Sequence, residues 1–358
     1  MYKKKMYAAL VLTVFMSVTS PVFAADTTIS LALDESINLA LKNNNQIKAV
    51  ASGMEVAKWH LEKSKGAKSI SVNLSHTSSR IGGEYWQVFR IDKSPSDYFI
   101  NSVSASVPLY SGGRIENTIK QAKLGSEISE LQFQDTKQEI KYQVTQSYYN
   151  ILACQNFQLV KEESVRQLSE HLKNVESQYA VGTVTKADVL RSEVELADAK
   201  QGLVTAKNNT QLAIAIFNKI VGLPIQQAID IKDFLKYEQY NYNLADCISY
   251  ALQNRPDLIV SQKAVKQAEA GVKIAGADKK LNVSMDASYN TYDTKIDEFN
   301  TTQWMVGVTA HVNLFDGNVT NAGIKASKGT LEQSKHNEND MEAAVELSVQ
   351  QAYLLNKS

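Results

Sequence analysis

Cysteine is nearly absent: only Cys154 and Cys247 occur in a chain of 358 residues. Two thiols cannot staple a chain of this length, so a disulfide scaffold is excluded, and each reads as a small apolar residue. Proline is scarce, with 5 residues, and glycine numbers 16, which excludes collagenous and low-complexity classes. Neither sign of charge dominates. Lys+Arg and Asp+Glu are both 38, so the formal net charge is +0 and there is no electrostatic case for nucleic acid. His60, His76, His171, His311 and His336 are scattered, without the spacing of metal ligands. Gly82-Gly83 and Gly112-Gly113 lack the flanks of a phosphate loop, and Glu162-Glu163 reads as a solvated helix face. No catalytic residue, metal site or cofactor is expected.

Long apolar runs are also missing, with one exception. Lys3-Lys4-Lys5 precede an apolar run from Met6 to about Val18, and Val22 and Ala24 place small residues where cleavage after Ala24 requires them. The run is too short to cross a hydrocarbon core of about 30 Å, so residues 1–24 read as a signal peptide and the mature chain as exported. No cysteine follows the cut, so lipid attachment there is not expected. No other stretch approaches about 18 consecutive apolar residues, so any passage through a membrane must be made by strands.

What the chain does have is one very long helical pattern, residues 112–181. From Gly113 to Gln178 there is no proline and only one internal glycine, Gly125. Apolar residues recur at three- and four-residue steps (Ile128, Leu131, Ile140, Val144, Tyr148, Ile151), which predicts a rod on the order of 100 Å long. The pattern breaks at Tyr179–Thr185 and resumes as a return helix over 185–221, stopped by Gly222-Leu223-Pro224. Upstream, Leu33 to about Lys68 reads as a helix with a kink near Asn43-Asn44-Asn45. The period then becomes two. Ile70, Val72 and Leu74, and later Val103, Ala105, Val107 and Leu109, alternate with serine and asparagine, predicting a hairpin over 69–110 with a loop from Ser78 to about Asp97. Pro108 sits where the second strand should end. A linker, 226–243, carries Phe234, Tyr237, Tyr240 and Tyr242.

Then the chain repeats itself. Leu244–Asn254 matches Leu33–Asn43, Leu281, Val283 and Met285 fall on Ile70, Val72 and Leu74, and Val312–Gly317 matches Val107–Gly112. This predicts an internal duplication: a first repeat over 25–225, and a second over 244–358 with a hairpin at 281–315 and the start of a long helix. By comparison with the first copy, about 70 further residues would finish the second, so the chain is expected to be incomplete. In the last strand Trp304, Val306, Val308, Ala310, Val312 and Leu314 share one face, and Gly307, Thr309, His311 and Asn313 the other. About ten residues of this kind suit a tilted transmembrane strand. A periplasmic sheet packed on an apolar partner is the alternative. Four amphipathic strands cannot close a barrel alone, so closure needs several chains, and three would supply twelve strands.

Ala251-Leu252-Gln253-Asn254-Arg255-Pro256-Asp257-Leu258, Pro108-Leu109-Tyr110-Ser111-Gly112-Gly113, Asn313-Leu314-Phe315-Asp316-Gly317 and Tyr179-x-x-Gly182-x-Val184-x-x-x-Asp188-Val189-Leu190 together resemble the TolC family of outer-membrane factors. The resemblance runs from about Ser30 to Ser358. It implies an α+β membrane protein, with long antiparallel α-helical coiled-coil rods and four transmembrane strands per chain. Those would form a homotrimer with a twelve-stranded β-barrel in outer-membrane lipid and an α-helical periplasmic tunnel. It also implies partners: a periplasmic adaptor (membrane fusion) protein and an inner-membrane pump of the RND, ABC or a similar class. The chain departs from the family in lacking a proline before each first strand and in carrying Gly317-Asn318 for Gly-Gly.

By this resemblance Val181, Gly182, Thr183 and Val184 form the adaptor-docking tip. Read without it, they make an ordinary helix–helix turn with two valines that need covering. Asp188 matches an acidic position at the tunnel entrance; on its own it is equally a first-turn acid complementing the helix dipole. Tyr110, Gly112, Gly113, Phe315 and Gly317 mark the strand–helix junctions. The implied function is a passive export conduit of an efflux pump or type I secretion system. A periplasmic coiled-coil protein without a barrel, and an inactive fragment of such a channel, are the alternatives. The transported substrate is not readable.

Overall fold

The computed structural model describes residues 28–82, 96–232, 242–297 and 299–356. The expected signal peptide, and Phe234, Tyr237 and Tyr240 of the linker, lie outside the described residues. The chain folds as two compact units, one made of the described residues up to Ser36 with 146–232, the other of 37–145 with 242–356.

In the first unit the rear part of helix α3 (Arg114–Ala180) is followed by helix α4 (Lys186–Val221). With no proline to interrupt its hydrogen-bond ladder, α3 is one helix of 67 residues. The two helices meet where Tyr148 tilts against Phe217, with ring centroids 6.1 Å apart, and where Lys207 pairs with Glu162 at 3.7 Å. Tyr148, Ile151, Phe217 and Val221 are completely buried. At the far end of α4 Gly222 takes a left-handed φ of 83°, and the chain doubles back. The buried Asn218 amide donates to the carbonyls of Ile225 (3.1 Å) and Gln227 (2.8 Å) and fixes that return. The return delivers strand β4 (Ile229–Ile231), which pairs in parallel with strand β1 (Ile29–Leu31). The Tyr148 hydroxyl donates to the carbonyl of Leu31 at 3.1 Å, tying this small sheet to α3. Three residues per strand is too short for a periodic signal, so the region expected to be a linker carries a strand that its pattern did not announce.

In the second unit the expected kink is a break between helices α1 (Leu33–Asn43) and α2 (Asn45–Gly66). Asn44 sits between them and its side chain accepts from the N–H groups of Gln46 (2.8 Å) and Ile47 (3.2 Å), capping α2. The second copy has helices α5 (Leu244–Asn254) and α6 (Pro256–Gly276), with Arg255 at the equivalent break and Pro256 opening the new helix. Helix α7 (Val319–Leu355) corresponds to the start of α3. The duplication extends to packing. Ala40, Ile47 and Ile140 are buried in the first copy, and Ala251, Leu258 and Val345 in the second. Met341 and Val349 of α7 pack against the latter cluster.

A four-stranded antiparallel sheet completes this unit, in the order β2 (Ser71–Ile81), β3 (Ser96–Ser111), β5 (Asn282–Asp293), β6 (Thr302–His311). The first hairpin's strands run further than expected, into the stretch read as a loop, because Ser78↔Phe99 and Arg80↔Asp97 extend the ladder. Pro108 does not end β3. It lies beyond the last β2 pairing, Ser71↔Ser106, and beside a register shift opposite β5, where a missing N–H is tolerated. In both copies the helix before the first strand tightens into three-residue hydrogen bonds, Lys68 N–H to Lys65 and Lys280 N–H to Ala277. Neither turn contains a proline: the residues are Gly66-Ala67-Lys68 and Ala277-Asp278-Lys279.

Candidate functional site

The turn between α3 and α4 is built by two reciprocal caps. Gly182 takes φ 77°, and its N–H donates to the carbonyl of Tyr179 at 3.0 Å. Thr183 donates its N–H (3.0 Å) and its hydroxyl (2.9 Å) to the carbonyl of Gln178. These bonds satisfy the last carbonyls of α3 and need a left-handed residue at position 182. Thr185 then caps α4: its hydroxyl accepts from the Asp188 N–H at 3.4 Å, while the Asp188 carboxylate accepts from the Thr185 N–H at 2.8 Å. The Thr185 hydroxyl also donates to that carboxylate at 2.7 Å, and the two donors hold the Asp188 carboxyl below the usual range. Asp188 is thus both ionised at neutral pH and engaged in a capping box. Val181 is 75% exposed, while Val184 is half-buried. Lys186 Nζ lies 5.8 Å from the Tyr179 ring centroid. Glu163 pairs with Arg166 at 2.5 Å, which brings its carboxyl down to about 2; of the acidic pair in the sequence it is the exposed member, while Glu162 is half-buried and faces Lys207.

The strand–helix junctions lie in the other unit. β3 passes straight into α3 through Gly112 (φ 63°) and Gly113 (φ 88°), and Ser111 Oγ accepts from the Ile115 N–H at 3.1 Å. The second junction reproduces this corner with Gly317 (φ 63°) and Asn318 (φ 74°). Asn is one of the few L residues that enters the left-handed region readily, so the Gly-Asn departure preserves the backbone. Asp316 stands in for Ser111, accepting from the Thr320 N–H at 2.8 Å and from the Thr320 hydroxyl. Those two donors hold its carboxyl below the usual range, the hydroxyl most strongly. The two junctions differ in their approach. β6 ends at His311 and residues 312–316 are irregular, so Val312 and Leu314 do not continue the strand. Phe315 is 88% exposed, whereas Tyr110 is paired in the β3–β5 ladder opposite Val283.

The sheet has two chemically different faces, because directly paired residues share a side. Leu74, Val103, Tyr289 and Trp304 form one row, Val72, Ala105, Ala287 and Val306 the next, then Val107, Met285 and Val308. The opposite face carries Ser71, Ser106, Asp286 and Gly307 in one row and Asn73, Ser104, Ser288 and Met305 in another. Past Leu74 and Trp304 the apolar face ends at a hydrogen-bonded rung. Asn101 meets His76 at 2.7 Å and donates to Thr291 at 3.1 Å. Among the described residues β2 pairs only with β3 and β6 only with β5, leaving both outer edges open.

One cluster escaped the sequence reading. Arg255 donates to both carboxylate oxygens of Asp257 (3.1 and 2.6 Å) and to Ser348 of α7 (2.6 Å), clamping α6 to α7. Arg255-Pro256-Asp257 was legible as a motif, but its α7 partner lies 93 residues away. Among the described residues no group of three or more His, Cys, Asp and Glu could hold a metal, and no helix is long and apolar enough to cross a membrane.

An amphipathic antiparallel sheet joined through left-handed corners to long helices, all of it duplicated, narrows the fold sharply. The family model for outer membrane efflux proteins matches residues 36–223 and 247–356. The chain belongs to the outer membrane efflux protein family. Among curated relatives it is similar to the outer membrane efflux protein BepC of Brucella suis, 20% identical over 306 residues, covering 82% of this chain and 63% of BepC. It is also similar to the alkaline protease secretion protein AprF of Pseudomonas aeruginosa, 22% identical over 323 residues, covering 84% of this chain and 64% of AprF. The chain thus spans somewhat under two thirds of the length of these relatives. Among solved structures it shares its fold with the Campylobacter jejuni CmeC outer membrane channel, at a TM-score of 0.77 and 17% identity, covering 87% of this chain and 68% of that one. The helical rods and antiparallel sheet of the efflux family fold are therefore present.

Proposed function

We propose that this efflux-family chain is the outer-membrane channel subunit of an efflux pump or a type I secretion apparatus. It acts as a passive conduit and performs no chemistry. The observation that carries this reading is the sheet: one face apolar across four strands, one face polar, and two open edges. Such a sheet is unstable in hydrocarbon by itself and becomes stable when copies join edge to edge into a closed barrel. Three copies bring twelve strands, an even number of the kind found in outer-membrane barrels. The apolar face then meets outer-membrane lipid, and Tyr289 and Trp304 sit at its margin as interfacial aromatics do. The tip residues Val181, Gly182, Thr183 and Val184 meet a periplasmic adaptor, which covers the exposed valine and links the conduit to an inner-membrane pump. Asp188, ionised within its cap, contributes a ring of negative charge at the tunnel entrance.

The test is extraction and mass. Membranes carrying the protein are washed with carbonate, then solubilised in mild detergent, and the molar mass of the particle is measured by light scattering. Retention through carbonate and three chains per particle support the channel. Release by carbonate supports a periplasmic coiled-coil protein instead, and a detergent-soluble monomer rules out the closed barrel.

A further inference from the structure

The polar face of the sheet carries one carboxylate. Among the described strand residues on that side stand serines, threonines, asparagines, Gln303, Met305, Gly307, Pro108, a few apolar residues near the hairpin tips, and His311 at the end of β6 opposite Asn282, but no lysine, arginine or second carboxylate. Asp286 is the exception, placed mid-strand in β5, in the row Ser71, Ser106, Asp286, Gly307. Its neighbours are arranged to keep it as an acceptor. The Ser106 hydroxyl donates to one carboxylate oxygen at 2.7 Å, and the Ser284 hydroxyl donates to the other at 2.8 Å. Among the described residues no lysine or arginine pairs with it, and both bonds are from neutral donors, so the charge is oriented but not neutralised. On its β6 side the partner residue is Gly307, where an added Cβ would meet nothing within 4 Å. The carboxylate therefore stands beside a gap, open to solvent on the polar side of the wall.

We propose that Asp286 is a charged residue of the barrel lumen, and that its repetition in each subunit makes the membrane-embedded part of the conduit favour cationic over anionic solutes. This rests on the channel reading above, since it takes the polar face as the lumen. A carboxylate ring lining a pore attracts cations by Coulomb interaction alone, and the effect acts on any solute that passes close to the wall. Gly307 leaves room for such a solute beside the charge.

The test places a thiol next to the carboxylate. Gly307→Cys is introduced in the full-length chain in outer membranes, with Val306→Cys, one residue away on the apolar face, as its companion. Each is treated with a positively and a negatively charged methanethiosulfonate of similar size. Modification is followed by mass spectrometry of the peptide containing the new thiol, so Cys154 and Cys247 do not interfere. A unit charge about 5.5 Å away in water speeds the cation and slows the anion to give a rate ratio of about tenfold at low salt. The expected result is modification of Gly307→Cys only, with that preference, shrinking toward one at 1 M salt as screening sets in. Adding Asp286→Asn should collapse the ratio, and Asp286→Glu should retain it. Equal rates for the two reagents on the Asp286 background, or a preference that survives high salt or Asp286→Asn, overturn the proposal. If Val306→Cys reacts as fast as Gly307→Cys, the sheet does not separate lipid from lumen, and the channel reading fails first. Should Asp286→Asn not accumulate, the salt titration on the unaltered carboxylate decides alone.

Discussion

The Asp188 carboxylate accepts hydrogen bonds from the N–H (2.8 Å) and the hydroxyl (2.7 Å) of Thr185, closing a capping box at the first turn of α4. Helix α4 therefore begins on a carboxylate whose ionised form is the stronger acceptor for the box. Thr185→Ala should cost about 1 kcal/mol locally, or roughly fivefold faster amide exchange in the first turn of α4, with distant amides unaffected. The sign with pH follows from the lowered carboxyl: its contribution is complete above the ordinary carboxylate range and is lost as pH falls through the depressed folded value. Exchange at the Asp188 amide should therefore deviate from its expected pH trend only on the acid side. A deviation centred near neutral pH would refute the assignment.

Val181 is 75% exposed, so little of its surface is buried on folding. Val181→Glu should leave the thermal unfolding midpoint nearly unchanged, within about 0.5 kcal/mol. If the tip docks an adaptor as proposed above, Val181→Glu should abolish co-purification of that adaptor and export, at normal abundance. Export at the native level with Val181→Glu would remove the tip from the docking surface.

Gly112 and Gly317 share a φ of 63° but not their surroundings. A Cβ at Gly112 would come within 2.8 Å of the Ala277 carbonyl oxygen and of Lys280 Cβ, whereas at Gly317 it meets nothing within 4 Å. Gly317→Ala carries only the left-handed penalty, about 1–2 kcal/mol, and Gly112→Ala adds an overpacking cost of about 1–3 kcal/mol. Asparagine should be close to neutral at 317, as Asn318 already shows, and still damaging at 112. Equal unfolding temperatures for Gly112→Asn and Gly317→Asn would contradict the difference in packing.

Arg255 bridges Asp257 and Ser348, and burial is partial, so Arg255→Ala is expected to cost about 1–2 kcal/mol. The Asp257 carboxyl is held down first by its bonds to Arg255, so the pair stabilises above the ordinary carboxylate range and fails as pH falls through the lower folded value. Without the guanidinium that part of the acid-side loss should disappear from the unfolding-temperature profile. Lysine at 255 should recover only part of it, because it cannot engage both carboxylate oxygens at once.

These elements were unequally legible in the sequence. Alternation with period two revealed both hairpins, and the proline-free 3.6 period revealed α3, because long uniform segments give many consistent positions. The β1–β4 pair is invisible by the same reasoning. Ile29-Ser30-Leu31 and Ile229-Asp230-Ile231 are three residues each, two hundred apart, and their pairing depends on Asn218 and Tyr148 holding the backbone in place. Strand ends were read short at Ser78 because polar residues there continue a ladder whose bonds are made by backbone alone. Val312 and Leu314 kept the alternation after the strand had ended, since periodicity reports composition and not hydrogen bonding. The Gly-Asn corner looked like a departure, and only the dihedral at Asn318 reveals it as the same corner. Asp286 was within reach: it is the one acid in residues 282–290, a run that alternates polar and apolar residues, but its meaning needed the register that sets it beside Gly307.

The open edges of β2 and β6 have a kinetic meaning. On the channel reading proposed above, one chain cannot hold its strands in hydrocarbon while those backbone groups lack partners, so entry into the membrane and the joining of subunits would form a single event. The rate of membrane insertion should then rise more steeply than in proportion to the amount of chain supplied. Below a threshold of synthesis the protein should collect in the periplasm, where a sheet with free edges is food for proteases. Its abundance in the outer membrane would be set by how often chains meet, as much as by how many are made.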